Sequence, residues 1–160
     1  MKKFVLPLAI LAMGLLLGAA VVGDCLRLAA DARERVAMAD SEIVKHERRL
    51  VKLLDGWAAK SPVVGAAIAT FEAADGPEAR NEAYERLVAN YRQSAPTTVD
   101  PTNPLDRKFM DDTAGAINRR EIAQKPYDDE SSAYRQFLAS WKGAVARRFS
   151  TQTRADWKAN

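Results

Sequence analysis

The pattern of hydrophobic and polar positions along the chain begins with an uninterrupted apolar run near the amino terminus. Residues 4–23 carry no charged side chain, and Lys2 and Lys3 precede them. Twenty helical residues extend ~30 Å, which matches the thickness of the hydrocarbon core of a bilayer. The run therefore predicts a single-pass membrane anchor within residues 1–24. The side chains assigned to this anchor are Phe4, Leu6, Ile10, Leu15, Leu17 and Val22.

A cleaved signal sequence and a buried helix of a soluble protein are the alternative interpretations of this run. Small residues at Gly18 and Ala20, or at Val21 and Gly23, suit a signal-peptide cleavage site. The apolar core of a signal peptide usually has about 7–15 residues. This run is longer and ends sharply at Asp24, which favours the anchor over both alternatives.

Two short features accompany the run. A lipoprotein signal needs a small residue directly before its cysteine, but Asp24 precedes Cys25, so we expect a free thiol at the membrane surface. Gly14 and Gly18 form a small-xxx-small pair, which is typical of closely packed helix dimers. A homo-oligomer is therefore an alternative to a monomer.

Basic residues flank the apolar run on both sides. Lys2 and Lys3 precede it, and Arg27, Arg33 and Arg35 follow it. The rule that positive charge stays inside is therefore nearly balanced. The signal-like start favours export, so we expect the domain that follows to lie on the periplasmic or extracytoplasmic side of the inner membrane.

A heptad pattern follows from residue 26 to residue 60, where no proline occurs. It predicts an amphipathic helix of ~50 Å with an apolar, coiled-coil-like seam that packs on partner helices. One row of this seam contains Ala29, Val36, Ile43, Leu50 and Trp57, and the other contains Ala32, Ala39, His46 and Leu53. The opposite face is expected to be solvated, and it contains Arg33, Asp40, Lys45, Glu47 and Arg48.

Prolines divide the rest of the chain into further helices. Ser61 and Pro62 form a helix-start signal, and a second break at residues 75–78 begins a helix that is expected to end near Ser94. Three prolines within residues 95–104 predict a loop. A last long helix is expected to reach Phe149, with a kink or a tight joint near Pro126.

The predicted fold is all-α, with the anchor followed by an elongated antiparallel four-helix bundle. The bundle domain covers residues 25–150, and residues 151–160 form a polar tail. The last helix is expected to contribute Tyr127, Tyr134 and Trp141 to the bundle seam. The 29 alanines, against 16 valines and isoleucines, agree with a helical chain.

Charge and composition restrict the function. The net charge is +3, of which Lys2 and Lys3 supply two units, so the remainder is almost neutral and nucleic acid is not an expected partner. One cysteine cannot form an internal disulfide, and one histidine cannot build a histidine-rich metal site. Neither a nucleophile motif nor a phosphate-binding glycine loop occurs, so we expect no catalytic, cofactor or metal residues.

His46 is the one polar residue on the apolar seam, one turn after Glu42. The favoured interpretation is a hydrogen-bonded core residue that sets the register of the helices. Binding of a small ligand or a metal is the alternative. The acidic clusters at residues 111–112 and 128–130 are expected to lie on solvated faces, because adjacent helical residues point in different directions.

Three segments resemble the LemA family of bacterial membrane-anchored proteins. They are the small and apolar spacing of residues 32–39, the arginine pair Arg48 and Arg49 before the apolar residues 50–54, and the tyrosines Tyr127 and Tyr134 of the last helix. The resemblance implies a four-helix bundle that faces away from a single anchor, and it implies no catalytic residues.

The expected function is a non-enzymatic, membrane-anchored helical scaffold of the bacterial envelope. Its partners would be the lipid bilayer and a protein that the residues do not identify. The alternative is a secreted or periplasmic helical module that binds a small ligand or a metal near His46.

Overall fold

The computed structural model describes the backbone of residues 5–159 and the side chains of residues 12–157. Phe4 and the side chains of Leu6 and Ile10 lie outside the described residues. Between residues 5 and 159 the chain is all-helical, without a strand, and this confirms the predicted all-α class. Its helices are α1 (Val5–Ala58), α2 (Pro62–Glu72), α3 (Pro77–Thr98), α4 (Pro104–Ala139), α5 (Trp141–Phe149) and α6 (Thr151–Ala159).

The chain divides into two compact units. The first contains Met1–Ala39 and Pro126–Asn160, and the second contains Asp40–Lys125. The longest helices, α1 and α4, therefore each contribute residues to both units.

Apolar side chains of α1, α2, α3 and α4 form the core of the second unit. At its centre, the ring of Trp57 lies 5.5 Å from the ring of Tyr91 and 5.5 Å from that of Phe109. The Trp57 and Tyr91 rings meet edge to face, a geometry that adds to the stabilisation from buried area. Leu50 and Leu87 are fully buried in the same core.

A smaller core holds the first unit together. Cys25 and Ala29 of α1 pack with Ala146 of α5, and all three are almost fully buried. Leu26, Phe137 and Val145 cover this cluster. Cys25 is a free thiol, as expected, and it is packed against protein.

Prolines at the first helical position begin α2, α3 and α4, as expected from their fixed φ angle and missing donor. Pro96, in contrast, lies inside α3, so the predicted loop over residues 95–104 is wrong in its first half. The last turn closes because the hydroxyls of Thr97 and Thr98 donate to the carbonyl of Ser94, and Val99 donates its N–H to Ala95.

The end of the chain also differs from the expectation. Of the two alternatives predicted near Pro126, the tight joint is wrong, because α4 continues through Pro126 to Ala139 and the joint lies at Ser140; the kink stays a prediction. The Ser140 hydroxyl accepts the N–H of Gly143 at 3.2 Å and donates to the carbonyl of Phe137 at 2.6 Å. Because serine satisfies free N–H groups at helix starts, this site ends one helix and begins the next.

Residues 151–159 form the helix α6, where a polar tail was predicted. Arg154 donates to the carbonyls of Arg147 and Arg148, and Thr153 is buried. These contacts attach α6 to the end of α5. The pattern of apolar and polar residues in the sequence does not predict them.

Candidate functional site

The apolar segment of α1 is the first candidate site. Residues 12–21 are all exposed, and Leu15, Leu16 and Leu17 expose 69%, 72% and 64% of their surfaces. Val22 is half-buried. Of the helices in the described chain, α1 alone is long and apolar enough to cross a membrane, a criterion that a signal sequence near the amino terminus also meets.

The predicted seam residues have different environments. Ile43, Leu50, Trp57 and Tyr134 are buried, whereas Val36, His46, Leu53 and Tyr127 are half-buried. Trp141 was expected on the seam, but 63% of its surface is exposed. The joint at Ser140 is the reason, because it separates Trp141 from α4, and α5 instead buries Gly143 and Ala146.

The second buried row of α1 lies one residue beyond the predicted one. Glu47 and Leu54 are buried, with 1% and 0% exposed, whereas the predicted His46 and Leu53 are half-buried. The first row keeps its register, because Ile43, Leu50 and Trp57 are all buried. The second buried row follows the first by four residues instead of three, so it lies on the other side of the first row.

Glu47 was expected on the solvated face, and its burial is the main correction to the sequence analysis. Its Oε2 lies 3.0 Å from Nε of Arg80. Its Oε1 accepts from both Nε and Nη2 of Arg120, each at 3.4 Å. The positive charges of two guanidinium groups therefore offset the cost of burying the Glu47 carboxylate.

Other polar groups complete this cluster around the two arginines. Arg80 also pairs with Asp40, and Arg120 donates to the side-chain oxygen of Asn81. Nη1 of Arg120 lies 3.6 Å from Oε1 of Glu85. We call Asp40, Glu47, Arg80, Asn81, Glu85 and Arg120 the Glu47 network.

Tyr84 packs on the same network through its ring. The Arg120 guanidinium carbon lies 4.4 Å from the ring centroid, which is a cation–π contact. The Tyr84 hydroxyl is buried and has no hydrogen-bond partner among the described residues. Burial raises the pKa of Tyr84 to about 12, so the phenol stays neutral at physiological pH.

Burial dominates the electrostatics of Glu47. It raises the pKa of the carboxyl above its ordinary value of 4.5, while the charges of Arg80 and Arg120 oppose this shift. The network joins α1, α3 and α4. Its ion pairs therefore suit a structural role, in which they fix the register of these three helices. The sequence analysis did not predict the Glu47 network, because the position of a single glutamate on a helix does not indicate which distant arginines will contact it.

A smaller polar cluster lies in the first unit. The Tyr134 hydroxyl donates to Oδ2 of Asp156 at 2.6 Å, and Nε of Arg33 lies 3.5 Å from the same oxygen. Burial, and then the hydrogen bond to Asp156, raise the pKa of Tyr134. This cluster joins α1, α4 and α6, and Arg33 is exposed, as expected for the solvated face of α1.

The alternative function depends on His46. His46 is half-buried, and the described residues contain no group of three or more His, Cys, Asp or Glu side chains that could hold a metal ion. The glycines Gly14 and Gly18 remain open, because a Cβ added at either would meet nothing within 4 Å.

Comparison with known proteins adds no family to these observations. No family model matches the chain, and neither a curated protein nor a solved structure matches it.

Proposed function

We propose that this protein is a non-enzymatic helical scaffold of the bacterial envelope, held in the inner membrane by the amino-terminal part of α1. The observation that carries the proposal is the uncovered apolar surface of that helix. Five large apolar side chains are exposed there, namely Met13, Leu15, Leu16, Leu17 and Val21. Burying them is worth on the order of 10 kcal/mol at about 1.5–3 kcal/mol each, which lipid would supply.

The remaining features support a structural role for the helical part. The buried charges of Glu47 and Arg120 are engaged in the Glu47 network, and Tyr134 pairs with Asp156. Both sets of contacts join helices to one another. The layout that resembles the LemA family agrees with such a role, and membership of that family is part of the proposal. The scaffold would recruit a protein partner on the extracytoplasmic side.

Alkaline carbonate extraction of membranes that contain the full chain tests the anchor. We expect the protein to stay in the membrane pellet with its amino-terminal segment intact by mass spectrometry. In a Leu16→Arg/Leu17→Arg variant, each arginine costs about 2.5–3.5 kcal/mol at the helix centre, so the protein should be released. The control is Leu105→Arg, because Leu105 is a similarly exposed leucine outside the run.

Release of the wild-type chain by carbonate would overturn the anchor. A soluble form that begins near Gly23 would support a cleaved signal sequence instead. Retention of the double-arginine variant would mean that another segment holds the protein in the membrane.

Orientation is tested by labelling a cysteine introduced at Ala155, an exposed position of α6. Cys25 is buried and should react slowly, so the labelling reports the new thiol. We expect a membrane-impermeant maleimide to label Ala155→Cys in intact bacterial spheroplasts. Labelling only after lysis would place the helical part in the cytoplasm and contradict the proposed side.

The scaffold role is tested by one measurement in native membranes and one on the detergent-solubilised full chain. Cross-linking in native membranes followed by mass spectrometry should recover a specific protein neighbour. Calorimetric titration with divalent metals should show no binding. Metal binding that is lost in His46→Leu would overturn the scaffold in favour of a ligand-binding module.

A further inference from the structure

The corner between α4 and α5 exposes an aromatic side chain on a rigid backbone. Trp141 follows Ser140, whose hydroxyl bonds to both helices, and it is 63% exposed. Gly143 allows the backbones of α4 and α5 to approach closely at this corner, because a Cβ at residue 143 would lie only 2.8 Å from the Cα of Leu138. The corner therefore holds Trp141 on the surface by close backbone contact rather than in a mobile loop.

Contacts within the first unit place this corner next to the end of the apolar run. Nζ of Lys142 lies 4.0 Å from Oδ2 of Asp24, the first charged residue after the run. One helical turn further along α5, Ala146 packs on Cys25 and Ala29. The α4–α5 corner, Ser140 to Lys142, is therefore level with the point at which α1 would leave a bilayer.

The residues of α5 have the chemistry of a membrane interface. The helix carries Lys142, Arg147 and Arg148, and its sequence contains no acidic residue. Tryptophan is enriched at the headgroup level of membranes, because its ring is apolar and its N–H is polar. A basic residue near an anionic surface contributes about 1 kcal/mol of attraction.

We propose that the α4–α5 corner is a lipid-contact site, in which the indole of Trp141 lies at the headgroup level of the leaflet from which α1 emerges. Lys142 faces the anionic lipid headgroups of that leaflet. This inference rests on the proposed membrane anchor. The contact would fix the tilt and rotation of the first unit against the bilayer, which a single spanning helix does not determine.

Trp157 provides a matched control within the same unit. It is 44% exposed, and its neighbour Asp156 pairs with Arg33. Arg33 follows Asp24 by nine residues, which corresponds to ~14 Å along α1. The guanidinium of Arg147 covers one face of the Trp157 ring, with its carbon 3.9 Å from the ring centroid. Trp157 is therefore expected to be less accessible to lipid than Trp141.

The test uses the full chain reconstituted into vesicles of phosphatidylcholine and phosphatidylglycerol, with flotation to verify insertion. Tryptophan fluorescence is quenched either by lipids brominated near the headgroup or by aqueous acrylamide. Three proteins are compared, namely wild type, Trp141→Phe and Trp157→Phe. The remaining tryptophan, Trp57, is 4% exposed and shielded by the protein core.

We expect the brominated lipids to quench the wild type and Trp157→Phe at least twofold more strongly than Trp141→Phe. Acrylamide should show the reverse preference. Omitting phosphatidylglycerol should reduce the lipid quenching of Trp141.

Equal lipid quenching in the two variants, in protein that floats with the vesicles, would overturn the lipid-contact site and leave the anchor standing. Protection of Trp141 from both quenchers would mean that protein covers it, either a partner or a second copy, and would also overturn the proposal. Wild-type protein that fails to float would overturn the anchor and the contact site together.

Discussion

Replacing Arg120 with methionine would leave the buried charge of Glu47 with one of its two guanidinium partners. Arg120 and Glu47 expose 6% and 1% of their side chains, so water cannot replace the lost partner. Methionine keeps an unbranched apolar stem and removes the guanidinium group with its charge and its donors. Arg80 remains at 3.0 Å from the carboxylate and provides partial compensation.

The penalty from the Glu47 charge has an upper limit that depends on pH. The folded protein can always avoid the charge by binding a proton. For a carboxyl with an ordinary pKa of 4.5, the free energy of protonation at pH 7 is about 3.4 kcal/mol. At pH 5 the same limit falls to about 0.7 kcal/mol. Loss of the cation–π contact with Tyr84 adds about 1 kcal/mol at either pH.

The direction of the pH dependence follows from the raised pKa of Glu47. Burial already raises this pKa in the folded state, and removing Arg120 raises it further, because the charge of Arg120 opposes the shift. A carboxyl with a raised folded-state pKa favours the folded state most below its unfolded pKa. That contribution is lost as the pH increases through the folded-state pKa.

The measurement is urea unfolding of the full chain in detergent micelles, followed by far-ultraviolet circular dichroism at pH 5 and pH 7. We expect Arg120→Met to lower the free energy of unfolding by about 3–4 kcal/mol at pH 7 and by about 1–2 kcal/mol at pH 5. The matched control is Arg119→Met on the exposed neighbour, which should change stability by less than about 0.5 kcal/mol.

Equal destabilisation by Arg120→Met at the two pH values would refute the assignment of an uncompensated Glu47 charge. A further variant separates charge from packing. Adding Glu47→Gln to Arg120→Met removes the buried charge, so the double variant should be more stable than Arg120→Met at pH 7, and a less stable double variant would contradict the reasoning.

Three further predictions use the same unfolding measurement. Leu50→Ala should cost about 2–5 kcal/mol, because the side chain is fully buried, and a cost below about 1 kcal/mol would contradict its place in the core. Gly143→Ala should cost about 3 kcal/mol, because its Cβ would overlap the backbone at the end of α4. Its control, Gly56→Ala, adds a Cβ in open space and should stabilise α1 by about 0.5–1 kcal/mol. Tyr134→Phe should cost about 1.5–3 kcal/mol, because it removes the hydrogen bond to the Asp156 carboxylate, and an unchanged stability would refute that bond.

The helical class and the apolar segment of α1 follow from local features of the sequence alone. A run of uncharged residues, an apolar period of three to four, and prolines at Pro62, Pro77 and Pro104 act over neighbouring residues of the chain. The row that includes Leu50 and Trp57 was therefore predictable, and both side chains are buried. Local signals also mark where most helices begin, because a proline at the first turn acts without tertiary contacts.

The tertiary structure alone decided which polar residues are buried. His46 and Glu47 are adjacent in α1, and local periodicity predicts the histidine on the apolar seam and the glutamate on the solvated face. Glu47 is buried instead because Arg120, 73 residues away, and Arg80 converge on its carboxylate. The exposure of Trp141 likewise depends on the close backbone contact at Gly143. Local periodicity reports which stripe of a helix faces protein, whereas the cost of burying a charge depends on distant partners that only packing brings together.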